Sequence, residues 1–127
     1  MKTILVDAVF CFVSPEGQIF NDMHALLETC PNKKILVTGA NDEQFKKFGL
    51  DKMPYEVFTL KHKPEKTDPA YFKTLLEKYN LNATDVIYFE HNAEAVKSAE
   101  SVGIKSYFYD EHKKDLASLK GFLDENK

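Results

Sequence analysis

The chain has 127 residues, which fits one compact domain and not two. Hydrophobic residues make up 43% of it, with ten Phe and six Tyr, so a packed core is expected and whole-chain disorder is not. The 20 acidic and 17 basic residues are mixed along the chain and leave a net charge of -3; no basic block marks a nucleic-acid groove.

The elements follow in chain order. Residues 3–9 read as a buried strand. Asn21 is placed to cap a helix carrying Met23, Leu26 and Leu27 on one face, ended by Pro31-Asn32. Residues 34–38 form a second strand, followed by Gly39. Asn41 caps a short helix that stops at Gly49. Residues 55–60 suggest a third strand. Asp68-Pro69 opens a helix that runs to about Tyr79, with Phe72, Leu75, Leu76 and Tyr79 at the spacing of one face. Residues 85–89 are a fourth strand, 93–102 a helix closed by Gly103, 104–109 a fifth strand, and 115–123 a last helix.

Apolar strands alternating with helices imply a parallel sheet covered on both faces. The expected fold is therefore α/β: a three-layer α/β/α sandwich with a Rossmann-like sheet of about five strands, over residues 1–127 as one domain. In such sheets chemistry gathers at the carboxyl ends of the strands. That singles out Asp7, Thr38 and the Glu90-His91-Asn92 run.

Cys11 and Cys30 form no CxxC pair and the four histidines are scattered, so no structural zinc site is expected. Both cysteines are expected as packed thiols, with no paired histidine in evidence for Cys11. The apolar run Thr3-Ile4-Leu5-Val6 is too short for a signal peptide or a membrane span, which makes the cytoplasm the expected location.

Asp7 lies inside an apolar strand, where a carboxylate is costly unless paired, hydrogen-bonded or metal-bound. A strand-end Asp that caps a loop is the plainer alternative. Around it stands an ordered set: Thr38 before a glycine, Lys66 in Lys66-Thr67-Asp68-Pro69-Ala70-Tyr71-Phe72, and an acid-containing turn after the fourth strand. This set resembles the four motifs of the haloacid dehalogenase-like (HAD) superfamily. The segment 66–72 resembles its Lys-Pro-Asp-Pro-x-x-Phe, and residues 86–103 resemble its strand, acidic turn, alanine-containing helix and Gly.

The resemblance implies a phosphohydrolase. Asp7 would be the nucleophile that forms an aspartyl phosphate, and Lys66 would neutralise it and the phosphate, with Lys63 as the alternative lysine. Thr38, with Gly39 and Lys63 beside it, would bind the phosphoryl group. Magnesium would be held by Asp7, the Val9 carbonyl and Glu90 or His91.

Two departures stand out. The family's general acid is an Asp at the position of Val9, and losing such a group costs roughly 10²–10⁴ in rate. Its metal-binding Asp aligns with His91, and imidazole is a poor ligand for magnesium. Phe10 and Cys11 also replace small residues, and Glu94 is placed one helical turn from the same crevice. Neither 9–21 nor 38–66 has room for a cap domain. Three functions are therefore carried forward. The first is a weak or specialised magnesium-dependent phosphomonoesterase. The second is an inactive HAD-like domain binding a phosphorylated ligand or a protein. The third is an enzyme whose leaving group needs no proton, of the dehalogenase or acyl-phosphatase kind. The partners expected are a phosphorylated small molecule or macromolecule, with a protein completing the open site; neither nucleic acid nor membrane is expected.

Overall fold

In the computed structural model, which describes residues Met1–Lys127, every predicted apolar run forms a strand. These are β1 (Thr3–Asp7), β2 (Lys34–Thr38), β3 (Glu56–Thr59), β4 (Val86–Glu90) and β5 (Lys105–Phe108). All pair in parallel, in the order β3-β2-β1-β4-β5. The central β1 and β4 are buried along their whole length, which is why they show no polar alternation. At the edges, Glu56 of β3 and Lys105 of β5 reach solvent.

Five helices cover the two faces: α1 (Asn21–Glu28), α2 (Asp42–Lys47), α3 (Pro69–Tyr79), α4 (Ala93–Ser101) and α5 (Leu116–Asn126). Four of the five starts, those of α2 to α5, are written in side-chain caps. Asn41 and Gln44 form a reciprocal capping box. Asp68, Asn92 and Asp115 accept the N–H groups of Ala70, Glu94 and Ser118 at 2.9, 2.9 and 3.0 Å. Gly49 ends the α2 segment at φ +67°, with the backbone of Gly17 only 3.4 Å from where a Cβ would stand.

The alternation of strand side chains divides the core in two. Ile4, Val6, Leu36, Ile87 and Phe89 pack with Met23 and Leu27 of α1 and Leu119 and Leu123 of α5. Leu5, Ile35, Val37, Phe58 and Tyr88 pack with Tyr71, Phe72 and Leu75 of α3 and Ala99 of α4. No helix is long and apolar enough to cross a membrane.

Some boundaries differ from the sequence reading. β1 stops at Asp7, not residue 9, because the Ala8 carbonyl accepts from both Phe12 and Val13 and turns the chain. Asn21 is the first residue of α1, not its cap; Phe20 holds the cap position and makes no side-chain cap bond. Asp85 belongs to a turn, where its carboxylate accepts the Asn82 N–H at 2.7 Å, and β4 runs on to Glu90.

Candidate active site

Val6 of β1 stands opposite Phe89 of β4. The next rung therefore sets Asp7 beside Glu90, at the carboxyl edge where the strand order reverses. By alternation both lie on the α3/α4 face. Asp7 is 1% exposed and Glu90 not at all. Two buried carboxylates side by side repel each other and forgo hydration, so they need a cation or a shared proton between them.

Lys66 is that cation. It comes from the loop before α3, and its Nζ lies 2.7 Å from Asp7 Oδ1 and 2.7 Å from Glu90 Oε1. Asp7 Oδ2 accepts the His91 backbone N–H at 3.2 Å, a hydrogen bond from His91 Nδ1, and the Cys11 thiol at 3.3 Å. Glu90 Oε2 accepts the Asn92 N–H at 3.1 Å and faces His91 Nδ1 at 3.1 Å. The Tyr88 hydroxyl donates to Glu90 Oε1. Every oxygen of the two carboxylates is thus engaged.

These contacts set the protonation states. Burial pushes the Asp7 carboxyl up, but the Lys66 charge and the His91 hydrogen bond outweigh it and hold Asp7 well below the usual carboxylate range. Burial and the neighbouring Asp7 charge push Glu90 up. Burial opposes the Lys66 charge, yet the two carboxylates keep it ionised above the usual lysine range. Burial likewise opposes a charge on His91, and its hydrogen bonds to Asp7 and Glu90 overcome that and raise it to about 10. Burial and then the two acids push the Cys11 thiol up, so Cys11 is not a ready thiolate nucleophile.

Of the residues singled out in the sequence, Asp7, Lys66, Glu90 and His91 come together. Lys66, not Lys63, carries the contacts; Lys63 is exposed in the preceding turn, and Lys61 pairs with Asp42 at 3.0 Å. Val9 is half-buried and its carbonyl accepts no hydrogen bond from the chain. Glu94 points elsewhere: it is exposed and pairs with Lys97 at 3.5 Å. Thr38 is buried at the end of β2, where its Oγ1 accepts the Ala40 N–H at 3.2 Å. Gly39 is overhung by the loop after β3: a Cβ there would lie 3.3 Å from His62 Nδ1 and 3.5 Å from Glu65 Oε2.

Cys11 is packed, as expected, but the sequence reading assigns it no histidine partner. The ligand atoms of Asp7, Cys11 and His91 all lie within 4.8 Å of one another. A histidine is therefore at hand, brought from 80 positions away by the pairing of β1 with β4. Phe10, at φ +78°, packs edge-on against the His91 ring at 5.2 Å. A cavity of about 340 Å³ opens on the α1/α5 side, lined by Phe10, Cys11, Phe20, Met23, Tyr109 and Lys114 among others. Cys11 is the residue it shares with the charged cluster; Asp7, Lys66 and Glu90 do not line it.

The strand order defines a Rossmann-like α/β/α sandwich, with an acid at the end of β1 and a lysine before α3. No protein-family model matches the chain, and no curated protein matches it in sequence. Solved structures do match it. One is D,D-heptose 1,7-bisphosphate phosphatase from B. bronchiseptica, complexed with magnesium and phosphate; the TM-score is 0.73 at 13% identity, over 100% of both chains. Another is a HAD family enzyme from Bacteroides thetaiotaomicron in a magnesium complex; the TM-score is 0.71 at 13% identity, over 94% of this chain and 98% of that one. At such identities the likeness establishes the fold.

Proposed function

We propose that this chain is a low-activity phosphohydrolase in which Asp7 is the nucleophile. The observation that carries the reading is Lys66, held 2.7 Å from Asp7 at the carboxyl edge of the sheet, where an incoming phosphoryl group needs a cation. In the first step an Asp7 oxygen bonds to phosphorus. The ester P–O bond breaks, and the leaving oxygen takes the electron pair. Water then hydrolyses the acyl phosphate and restores Asp7. Thr38 and Gly39, at the end of the neighbouring β2, are the candidates to receive the phosphoryl oxygens, with exposed Lys63 as a further cation.

Two features make the reaction slow. The donors on Asp7 disperse its charge and weaken it as a nucleophile. Val9 offers no proton to a leaving alkoxide. An aryl ester, whose oxygen leaves without a proton, suits the site better.

Magnesium, named with both similar structures, does not suit the donors found here. Asp7, Glu90 and the Val9 carbonyl supply oxygen, but the atoms crowding Asp7 Oδ2 are the sulfur of Cys11 and the nitrogens of His91. Any magnesium binding is proposed to be weak.

A second reading is favoured by the saturation of Asp7: a non-catalytic domain that binds a phosphorylated ligand or protein. Phosphate release from aryl and alkyl monoesters separates the two. Wild type is expected to turn over the aryl ester slowly and the alkyl ester roughly 10²-fold more slowly or less, with Asp7→Asn inactive on both. Val9→Asp with His91→Asp, once shown to be folded, is expected to raise alkyl turnover. Fast alkyl hydrolysis by wild type would refute the proposal. No turnover, together with stabilisation by phosphate that is lost in Lys66→Ala, would establish the binding role instead.

A further inference from the structure

The geometry points to a binding site for a zinc-class divalent transition metal, made by Asp7 Oδ2, Cys11 Sγ and His91 Nδ1. The inference goes beyond the phosphate reading, and either can fail with the other intact. It rests on convergence. The three ligand atoms lie within 4.8 Å of one another. The thiol and the imidazole both donate to the same carboxylate oxygen, Cys11 Sγ from 3.3 Å. They therefore surround one small volume, now filled by their protons. Ligand bonds to zinc of about 2.0–2.3 Å would set such atoms about 3–4 Å apart, so shifts of about an ångström bring all three onto one ion.

The donor chemistry selects the metal. One sulfur, one imidazole nitrogen and one carboxylate oxygen form a borderline-soft set that favours zinc, cobalt or copper over magnesium. Coordination displaces the proton on Cys11 Sγ and the proton on His91 Nδ1. Lys66 need not move, because it holds the other oxygen, Asp7 Oδ1. Asp7 can then serve lysine and metal at once. One outer contact is already in place: the His91 backbone N–H, 3.2 Å away, orients Oδ2. Access exists from both sides: the His91 side chain is 22% exposed, and the cavity reaches Cys11 from the α1/α5 face.

The test is cobalt and zinc titration of the full chain after treatment with a chelator, without any phosphate ester. Wild type is expected to develop a sulfur-to-cobalt charge-transfer band that zinc bleaches, and to bind zinc at least roughly 10²-fold more tightly than magnesium. Cys11→Ser is expected to lose the band, Cys30→Ser to keep it, and His91→Ala to lower zinc affinity roughly ten-fold or more. A band that survives Cys11→Ser, no band in wild type, or equal affinity for zinc and magnesium would each overturn the inference. Should Cys11→Ser fail to fold, His91→Ala decides: wild-type zinc affinity in that variant is equally fatal.

Discussion

At the carboxyl end of β2 the chain is closed by neutral groups. The Thr38 N–H donates to the Tyr71 hydroxyl at 3.1 Å, and that hydroxyl donates back to the Thr38 carbonyl at 2.7 Å. Thr59 of β3 donates to the Ala40 carbonyl at 2.6 Å. At the adjacent ends of β1 and β4 the same need to satisfy buried polar atoms is met by charges. Lys66 and His91 stand against Asp7 and Glu90. Neutral closure is what a strand end requires, and one buried tyrosine supplies it. Charged closure exceeds that requirement, since apolar residues of similar volume stabilise a fold as well as a buried ion pair does. The closure of the β2 end thus reads as architecture, apart from the phosphoryl contact proposed for Thr38 and Gly39. The β1/β4 end reads as chemistry held in place by its own counter-charges.

If that contrast is right, breaking the charged end should cost most. Lys66→Ala leaves two buried carboxylates facing each other, and a loss of about 3–5 kcal/mol is expected from urea unfolding. A loss below about 1 kcal/mol would mean that water or Glu90 protonation already shields the pair.

His91→Gln tests the same end from its other cation. It removes hydrogen bonds to ionised partners, so about 1.5–3 kcal/mol is expected in metal-free protein near pH 6. The pH dependence has a definite sign. His91 is raised from an ordinary 6.5 to about 10. Its stabilisation is complete below pH 6.5 and fades as pH rises through 10. The deficit of His91→Gln should shrink over the same window, and a constant deficit would rule out the charged pairing. Asp7 runs the opposite way. Held below its ordinary 3.8, it stabilises above that value and ceases to do so as acid protonates the folded form. Glu90, held above its ordinary 4.5, partly offsets Asp7.

The smallest effect belongs to the neutral end. Tyr71→Phe strands the Thr38 N–H and carbonyl, at about 1–2 kcal/mol and with no dependence on pH between 5 and 9. A pH-dependent loss in this variant would show that the two ends are coupled, and the division drawn above would fall.

The strands and two of the caps were legible in the sequence because each has a local cause: unbroken apolar runs, Asn41 and Asp68-Pro69. The sequence reading does not place Asn92 and Asp115 as caps, and it puts Asn21 in the cap position that Phe20 holds. The grouping of Asp7, Lys66, Glu90 and His91 followed from ordered motif spacing. What stayed hidden had no local signature. Lys63 and Lys66 precede the same helix cap, and only the reach to Asp7 separates them. Cys11 lies in residues 8–19, which follow neither helical nor strand periodicity; isolated bridges of Val13 to Val9 and Ile19 fold that stretch back on itself. Glu94 failed for a related reason. Asn92 caps α4 and turns the next residues outward, toward Lys97. Tyr88 could have been found, because it sits two residues before Glu90 on the same face of β4.

Phe10 has a positive φ of 78° and is 42% exposed. A phenylalanine in that left-handed region stores on the order of 1–3 kcal/mol of backbone strain. The store lies one residue from Cys11 and against the ring of His91. Other arrangements of this turn are therefore closer in energy to the ground state than the burial of its neighbours implies. A ligand that shifts residues 9–11 draws on energy already held in the chain, and needs correspondingly little differential affinity to change which arrangement is populated.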